Sequence, residues 1–129
     1  MIILVTGSRA TPETDYEKLA AAIKNHAPQA AAIAHGGAIG ADQLAKRYAT
    51  ENGLREIEIK PDYQKYGKAA PLVRNNQLIE KSTKVIAWHS DEKPSRGTAY
   101  TAKLAKRKGK LLAEYRAGIL ATDSQIKLL

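Results

Sequence analysis

Cysteine is absent from the 129 residues, which excludes a disulfide scaffold, a thiolate zinc site and a cysteine nucleophile together. Phe is absent too, and Trp88 is the only Trp. The core must therefore be built from Ile, Leu, Val and Ala, a composition suited to helices packed closely on a sheet. No apolar run approaches the length of a membrane span. The chain opens directly into Ile2-Ile3-Leu4-Val5 without a basic leader, so the expected compartment is the cytoplasm. Acidic side chains are scarce in the second half. Residues 65–129 hold 14 Lys and Arg against 5 Asp and Glu, whereas residues 1–64 hold 7 against 8. The formal net charge is +8. Such an excess suits an anionic partner, either a phosphorylated small molecule or nucleic acid. A solvated basic face that only aids solubility is the plainer alternative. At roughly 150 residues per domain, residues 1–129 are expected to form a single domain.

Short apolar runs alternate with helical patterns. Ile2–Val5, Ala30–Ala34, Glu56–Ile59, Val85–Trp88 and Leu111–Tyr115 read as strands. Thr14 with Glu17 three residues on matches a capping box, opening a helix through about Asn25. Ala41 to about Glu51 is a second helix, closed by a left-handed cap at Asn52-Gly53. Asp62 to Pro71 is the longest stretch without a pattern. Leu72–Lys81 and Thr98–Lys108 read as further helices, the latter closed by Gly109. Ile119 onward is expected to pack as a short helix. This alternation predicts an α/β, Rossmann-like, doubly wound parallel sheet of about five strands, order 3-2-1-4-5, with Ile2–Val5 central. Ligands of such sheets bind beyond the carboxyl ends of the strands.

The strand-to-helix loops hold the residues with chemistry. Thr6-Gly7-Ser8-Arg9 supplies hydroxyls, a glycine and a cation. In His35-Gly36-Gly37-Ala38-Ile39-Gly40-Ala41-Asp42, glycines permit a tight turn and the next helix start aims its amides at the crevice. The spacing is not that of the dinucleotide fingerprint G-x-G-x-x-G. Asp42 either binds a ribose hydroxyl or favours the helix N-terminus electrostatically. His35 is either a ligand contact or a loop histidine bonded to backbone. Gly67-Lys68-Ala69-Ala70-Pro71 with Arg74-Asn75, and Ser95-Arg96-Gly97-Thr98, add cations around two more helix starts. Such loops at one sheet edge argue for an anionic, nucleotide-like ligand.

In their order along the chain, these four segments resemble the YspA/YpsA-related branch of the SLOG superfamily, from Ile2 to about Glu114. That superfamily includes the LOG phosphoribohydrolases and the DNA-processing protein DprA/Smf. The resemblance implies the Rossmann-like fold, an association with phages or mobile elements, and a homodimer paired through helices beside the site. The mixed face of Leu72, Asn76 and Ile79 is the candidate contact. LOG proteins carry P-G-G-x-G-T-x-x-E, whose acid assists N-glycosidic cleavage. Here Gly97-Thr98 matches the G-T, Ser95-Arg96 replaces the glycine pair, and Thr101 stands in place of the glutamate. Threonine can neither stabilise an oxocarbenium-like state nor protonate a leaving base. Arg74 matches the arginine of the LOG Arg-Lys motif, and Asn75 follows it.

The leading expectation is a domain that binds a nucleotide or nucleotide-derived ligand, such as a nucleoside phosphate or an ADP-ribose-like molecule. Arg9, Lys68, Arg74 and Arg96 would neutralise phosphates, while Gly7, Gly36, Gly37 and Gly97 would allow close backbone approach. Ser8, Ser95, Thr98, Asn75 and His35 would hydrogen-bond, and Asp42 would take the ribose. A second reading is an N-glycosidase or phosphoribohydrolase with a relocated acid, with Asp62, Asp42 and Asp91 as carboxylates and Arg74 beside them. A third is a DNA-binding module using Lys103, Lys106, Arg107, Lys108 and Lys110. No metal and no cofactor are expected.

Overall fold

The computed structural model describes residues 1–90 and 95–121. Its strands are β1 (Ile2–Gly7), β2 (Ala32–His35), β3 (Arg55–Glu58), β4 (Lys84–His89), β5 (Leu111–Arg116) and β6 (Ile119–Leu120). They form one sheet in the order β3-β2-β1-β4-β5-β6. The pairs among β1 to β5 are all parallel, and β6 pairs antiparallel with β5. The expected order 3-2-1-4-5 is therefore present, with β1 central and one strand added at the edge.

The helices are α1 (Tyr16–His26), α2 (Ala41–Glu51), α3 (Tyr63–Tyr66), α4 (Ala70–Lys81) and α5 (Arg96–Arg107). Alternation along β1 divides them between the two faces. Ile3 and Val5 pack with Leu19 and Ile23 of α1 and Leu44 and Tyr48 of α2. Leu4 points the other way, toward Leu78 and Ile79 of α4 and Ala105 of α5. Fully buried aliphatics of this kind contribute about 1.5–3 kcal/mol each, and Ile3, Val5, Ile33, Ile79 and Ile86 are all sealed from solvent. Trp88, also fully buried, sits between α1 and the sheet. Its Nε1–H donates to Asp15 Oδ2 at 3.1 Å, so the sole Trp ties β4 to the start of α1.

The structure departs from the sequence expectations in five places. The Thr14–Glu17 capping box does not form: Glu13–Asp15 is a turn of 3-10 helix and α1 starts at Tyr16 with no side-chain cap bond. Helix geometry began before the box could close. The stretch from Asp62 to Pro71 is mostly helical, as α3 followed by a 3-10 turn at Gly67–Ala69. Both pieces are too short to show a period. Ile119–Leu120 is a strand rather than a helix start. The turn before it holds Ala117 and Gly118 at φ 51° and 76°, a mirror-image hairpin turn that returns the chain along β5. Ile79 is fully buried, so it cannot belong to a contact face with Leu72 and Asn76. Finally, β2 runs from Ala32 to His35 rather than Ala30–Ala34, which moves His35 from the loop into the strand end.

Candidate functional site

At the carboxyl end of β1 the neighbouring strands β2 and β4 lead their chains away on opposite faces, which opens a crevice. A cleft of about 390 Å³ lies there, within the range of small-molecule sites. Its floor holds Leu4, Val5 and Leu78, and its walls come from four connections: residues 6–10, the β2–α2 loop, the start of α4 and the start of α5. Of the residues singled out in the sequence, Gly7, Ser8, Arg9, Gly36, Asp42, Arg74, Asn75, Ser95, Gly97 and Thr98 line it. His35, Gly37, Lys68 and Arg96 do not, although each adjoins a lining residue or one of its helix turns.

The first wall is built by close backbone packing. A Cβ on Gly7 would stand 2.7 Å from the Trp88 carbonyl oxygen, so only glycine lets β1 pass between α2 and β4. Ser8 then holds the loop together. Its N–H donates to Trp88 O at 2.9 Å, its carbonyl accepts the N–H groups of Thr11 and Ala41, and its Oγ accepts from Ala10 N–H at 3.1 Å. Arg9 is exposed, and no described residue bonds or pairs with it.

The second wall is the β2–α2 loop, and Asp42 organises it. Its Oδ2 accepts the N–H groups of Gly36 and Ala38, each at 3.1 Å. Burial pushes the Asp42 carboxyl up from its ordinary value, against the opposing pull of those amides, His35 and Arg74. Arg74 completes the loop from the other side. Its Nη1 donates to Gly36 O at 2.7 Å and to Ile59 O at 3.4 Å, and its Nε donates to Asn75 Oδ1 at 2.8 Å. A Cβ on Gly36 would meet the guanidinium carbon at 2.7 Å. The group that approaches Gly36 closely is thus the protein's own arginine. At Gly37 it is the Glu58 carboxylate.

His35 is fully buried and bonded to backbone, one of the two roles its sequence position allowed. Gly37 N–H donates to its Nδ1 at 3.0 Å, so the neutral ring carries its proton on Nε2, facing Glu56 Oε2 at 2.7 Å. His35, Glu56 and Glu58 have ligand atoms within 4.8 Å of one another, a spacing that would suit a cation. The Gly37 bond opposes that use, because it leaves Nε2 protonated with no lone pair to offer. The trio reads as a clip for the loop.

Sequence reasoning missed a second clip. His89 at the end of β4 accepts Ser95 N–H on Nδ1 at 3.2 Å and contacts Glu114 Oε2 at 2.7 Å through Nε2. The signal was present: each histidine closes a buried strand, and a glutamate follows on the next strand outward. The two clips flank β1 and fix the loops on either side of the cleft.

The fourth wall is the start of α5. Ser95 makes no side-chain cap bond, and no described residue would lie within 4 Å of a Cβ on Gly97. First-turn amides of a helix have no internal acceptor. Thr101, at the position of the LOG acid, turns its Oγ1–H to Gly97 O at 3.0 Å. Among the described residues lining the cleft, Asp42 is the one carboxyl. Asp62 lies outside it and caps α3, accepting Lys65 N–H at 3.1 Å. Asp91 lies outside the described residues.

A sequence model described as "YspA, cpYpsA-related SLOG family" matches residues 1–66. The "Gene 61 protein" of Mycobacterium phage D29 is 31% identical over 84 residues, 60% of this chain and 66% of the phage protein. The chain thus spans just under two thirds of that relative. Among solved structures, DNA processing protein A (DprA) from Streptococcus pneumoniae is similar at TM-score 0.68 and 19% identity, over 84% of this chain and 48% of that one. DNA processing protein A from Helicobacter pylori, whose structure is described for its single-stranded DNA binding mode, is similar at TM-score 0.69 and 20% identity, over 99% of this chain and 72% of that one. No helix among the described residues is long and apolar enough to cross a membrane.

Proposed function

Because the chain belongs to the YspA, cpYpsA-related SLOG family, we propose that its cleft binds a phosphorylated nucleotide or nucleotide-derived ligand. The observation that carries this reading is the charge pattern of the cleft. Two arginines, Arg9 and Arg74, and the uncapped start of α5 border a cleft of about 390 Å³ in which Asp42 is the single carboxyl among the described residues. Among the described residues Arg9 has no partner to give up, so a phosphate would gain a charge-assisted bond at little cost. The amides of the α5 first turn add an anion-favouring end. Ala10, Ala38 and Pro71, which line the cleft without being buried, offer apolar surface for the uncharged part of the ligand.

The test is calorimetric titration with AMP, ADP and ADP-ribose. Arg9→Ala should weaken binding by about 1.5–3 kcal/mol, one to two decades in affinity, without changing thermal stability. No heat from any of these nucleotides would overturn the reading. In the same reading the chain acts in the cytoplasm and pairs with a second copy through α4, using Leu72, which is 43% exposed, and Asn76. Light scattering at twice 14.0 kDa would support the pairing, and a persistent monomer would remove it.

A second reading, single-stranded DNA, is favoured by the exposed cations Lys68 and Arg96, which flank the cleft without lining it. A strand crossing the cleft could reach both. An oligonucleotide should then bind with a steep salt dependence. Lys68→Ala and Arg96→Ala should weaken the oligonucleotide and leave a mononucleotide unaffected.

A further inference from the structure

We propose that Asp42 selects ribonucleotides over deoxyribonucleotides, its free carboxylate oxygen accepting a hydrogen bond from a sugar hydroxyl of the ligand. The inference rests on the cleft being the nucleotide site. Asp42 is 7% exposed, and both bonds it makes fall on one oxygen: Gly36 and Ala38 donate to Oδ2. Among the described residues Oδ1 has no partner. It is also not sealed, since none of their buried side-chain oxygens or nitrogens lacks a partner. Asp42 lines the cleft, so this unpartnered, unsealed oxygen on an almost wholly buried side chain is an acceptor available to a ligand there.

An ionised carboxylate only accepts, so its partner must be a donor. A phosphate is excluded by its charge. The candidates in a nucleotide are the sugar hydroxyls and the amino groups of the base. Geometry separates them. Arg74 bonds the carbonyl of Gly36 at 2.7 Å and Asp42 bonds the N–H of the same residue at 3.1 Å. A cation and an acceptor are thus held across one residue. A ligand that meets both must carry an anion and a donor close together. Ribose hydroxyls lie a few bonds from the phosphate, whereas the amino group of the base lies beyond the sugar.

The experiment compares AMP, 2′-deoxy-AMP, 3′-deoxy-AMP and IMP by calorimetry on the unaltered chain and on Asp42→Asn. In the variant the amide oxygen can replace Oδ2 toward Gly36 and Ala38, leaving an NH₂ donor where the free acceptor was. The unaltered chain should bind AMP about tenfold or more tighter than at least one deoxy form, and IMP like AMP. Asp42→Asn should lose that preference. Equal affinity for AMP and both deoxy forms overturns the inference and leaves the cleft reading standing. A preference set by AMP over IMP alone also overturns it, assigning the donor to the base. No binding of any of the four overturns this inference, and silence of ADP and ADP-ribose as well overturns the cleft reading. The comparison on the unaltered chain decides the matter even if the variant does not fold.

Discussion

Arg74 and Arg9 show how two cations of one cleft carry different burdens. The sequence presents both as exposed phosphate contacts, but Arg74 is bonded to the carbonyls of Gly36 and Ile59 and to Asn75. Removing its side chain leaves those partly buried acceptors without a donor, at about 1–3 kcal/mol. Arg74→Ala should therefore lower both the denaturation midpoint and nucleotide affinity, while Arg9→Ala lowers affinity alone. Equal stability of the two variants would contradict this division. Asp42 adds a pH dependence. Its carboxyl is raised from 3.8 by burial, so the folded chain holds that proton more tightly than the unfolded one. The associated stability is fully present below the unfolded value and is lost as pH rises through the folded value. Asp42→Asn, which cannot ionise, should gain stability relative to the unaltered chain as pH rises above about 4. Urea midpoints across that range check it, and a variant that loses stability relative to the unaltered chain as pH rises would contradict the sign.

At the scale of elements, the β2–α2 connection is set by Gly40. Its φ of 81° is left-handed, and a Cβ there would stand 2.7 Å from the Arg9 backbone. Gly40→Ala should destabilise by about 2 kcal/mol or more, combining backbone strain with a clash against main chain. Thr14→Ala should stay within about 0.5 kcal/mol, because no capping bond forms. Guanidinium denaturation separates the two outcomes. The contrast also marks what the sequence makes legible. Buried parallel strands declare themselves as apolar runs, so β1, β4 and the order of the sheet were readable, and so were the glycine loops at its edge. Which partner each loop group takes was not, because it depends on residues distant in the chain: Arg74 reaches Gly36 across 38 positions, and His89 reaches Glu114 across 25. The β6 hairpin escaped notice because Ala117 is not a residue that announces a left-handed turn.

Across the whole molecule, the basic excess of the second half lies mostly away from the cleft. Lys108 bonds Glu80 at 2.5 Å, Lys110 Nζ donates to Ile79 O at 2.8 Å, and Lys84 Nζ donates to Gly109 O at 3.3 Å. These groups gather where α4 and α5 end and β4 and β5 begin, the pole opposite the strand carboxyl ends. Cations there complement helix C-termini. Lys108→Ala and Lys110→Ala should thus leave nucleotide affinity unchanged within error by calorimetry, and a tenfold loss would relocate the site. The most direct measurement is an amide-resolved NMR titration with ADP-ribose. The resonances of Gly36, Ala38, Gly97 and Thr98 are expected to move together and saturate, with the opposite pole undisturbed. Shifts confined to Lys84, Lys108 and Lys110, or no shifts at all, would contradict a nucleotide site in the cleft.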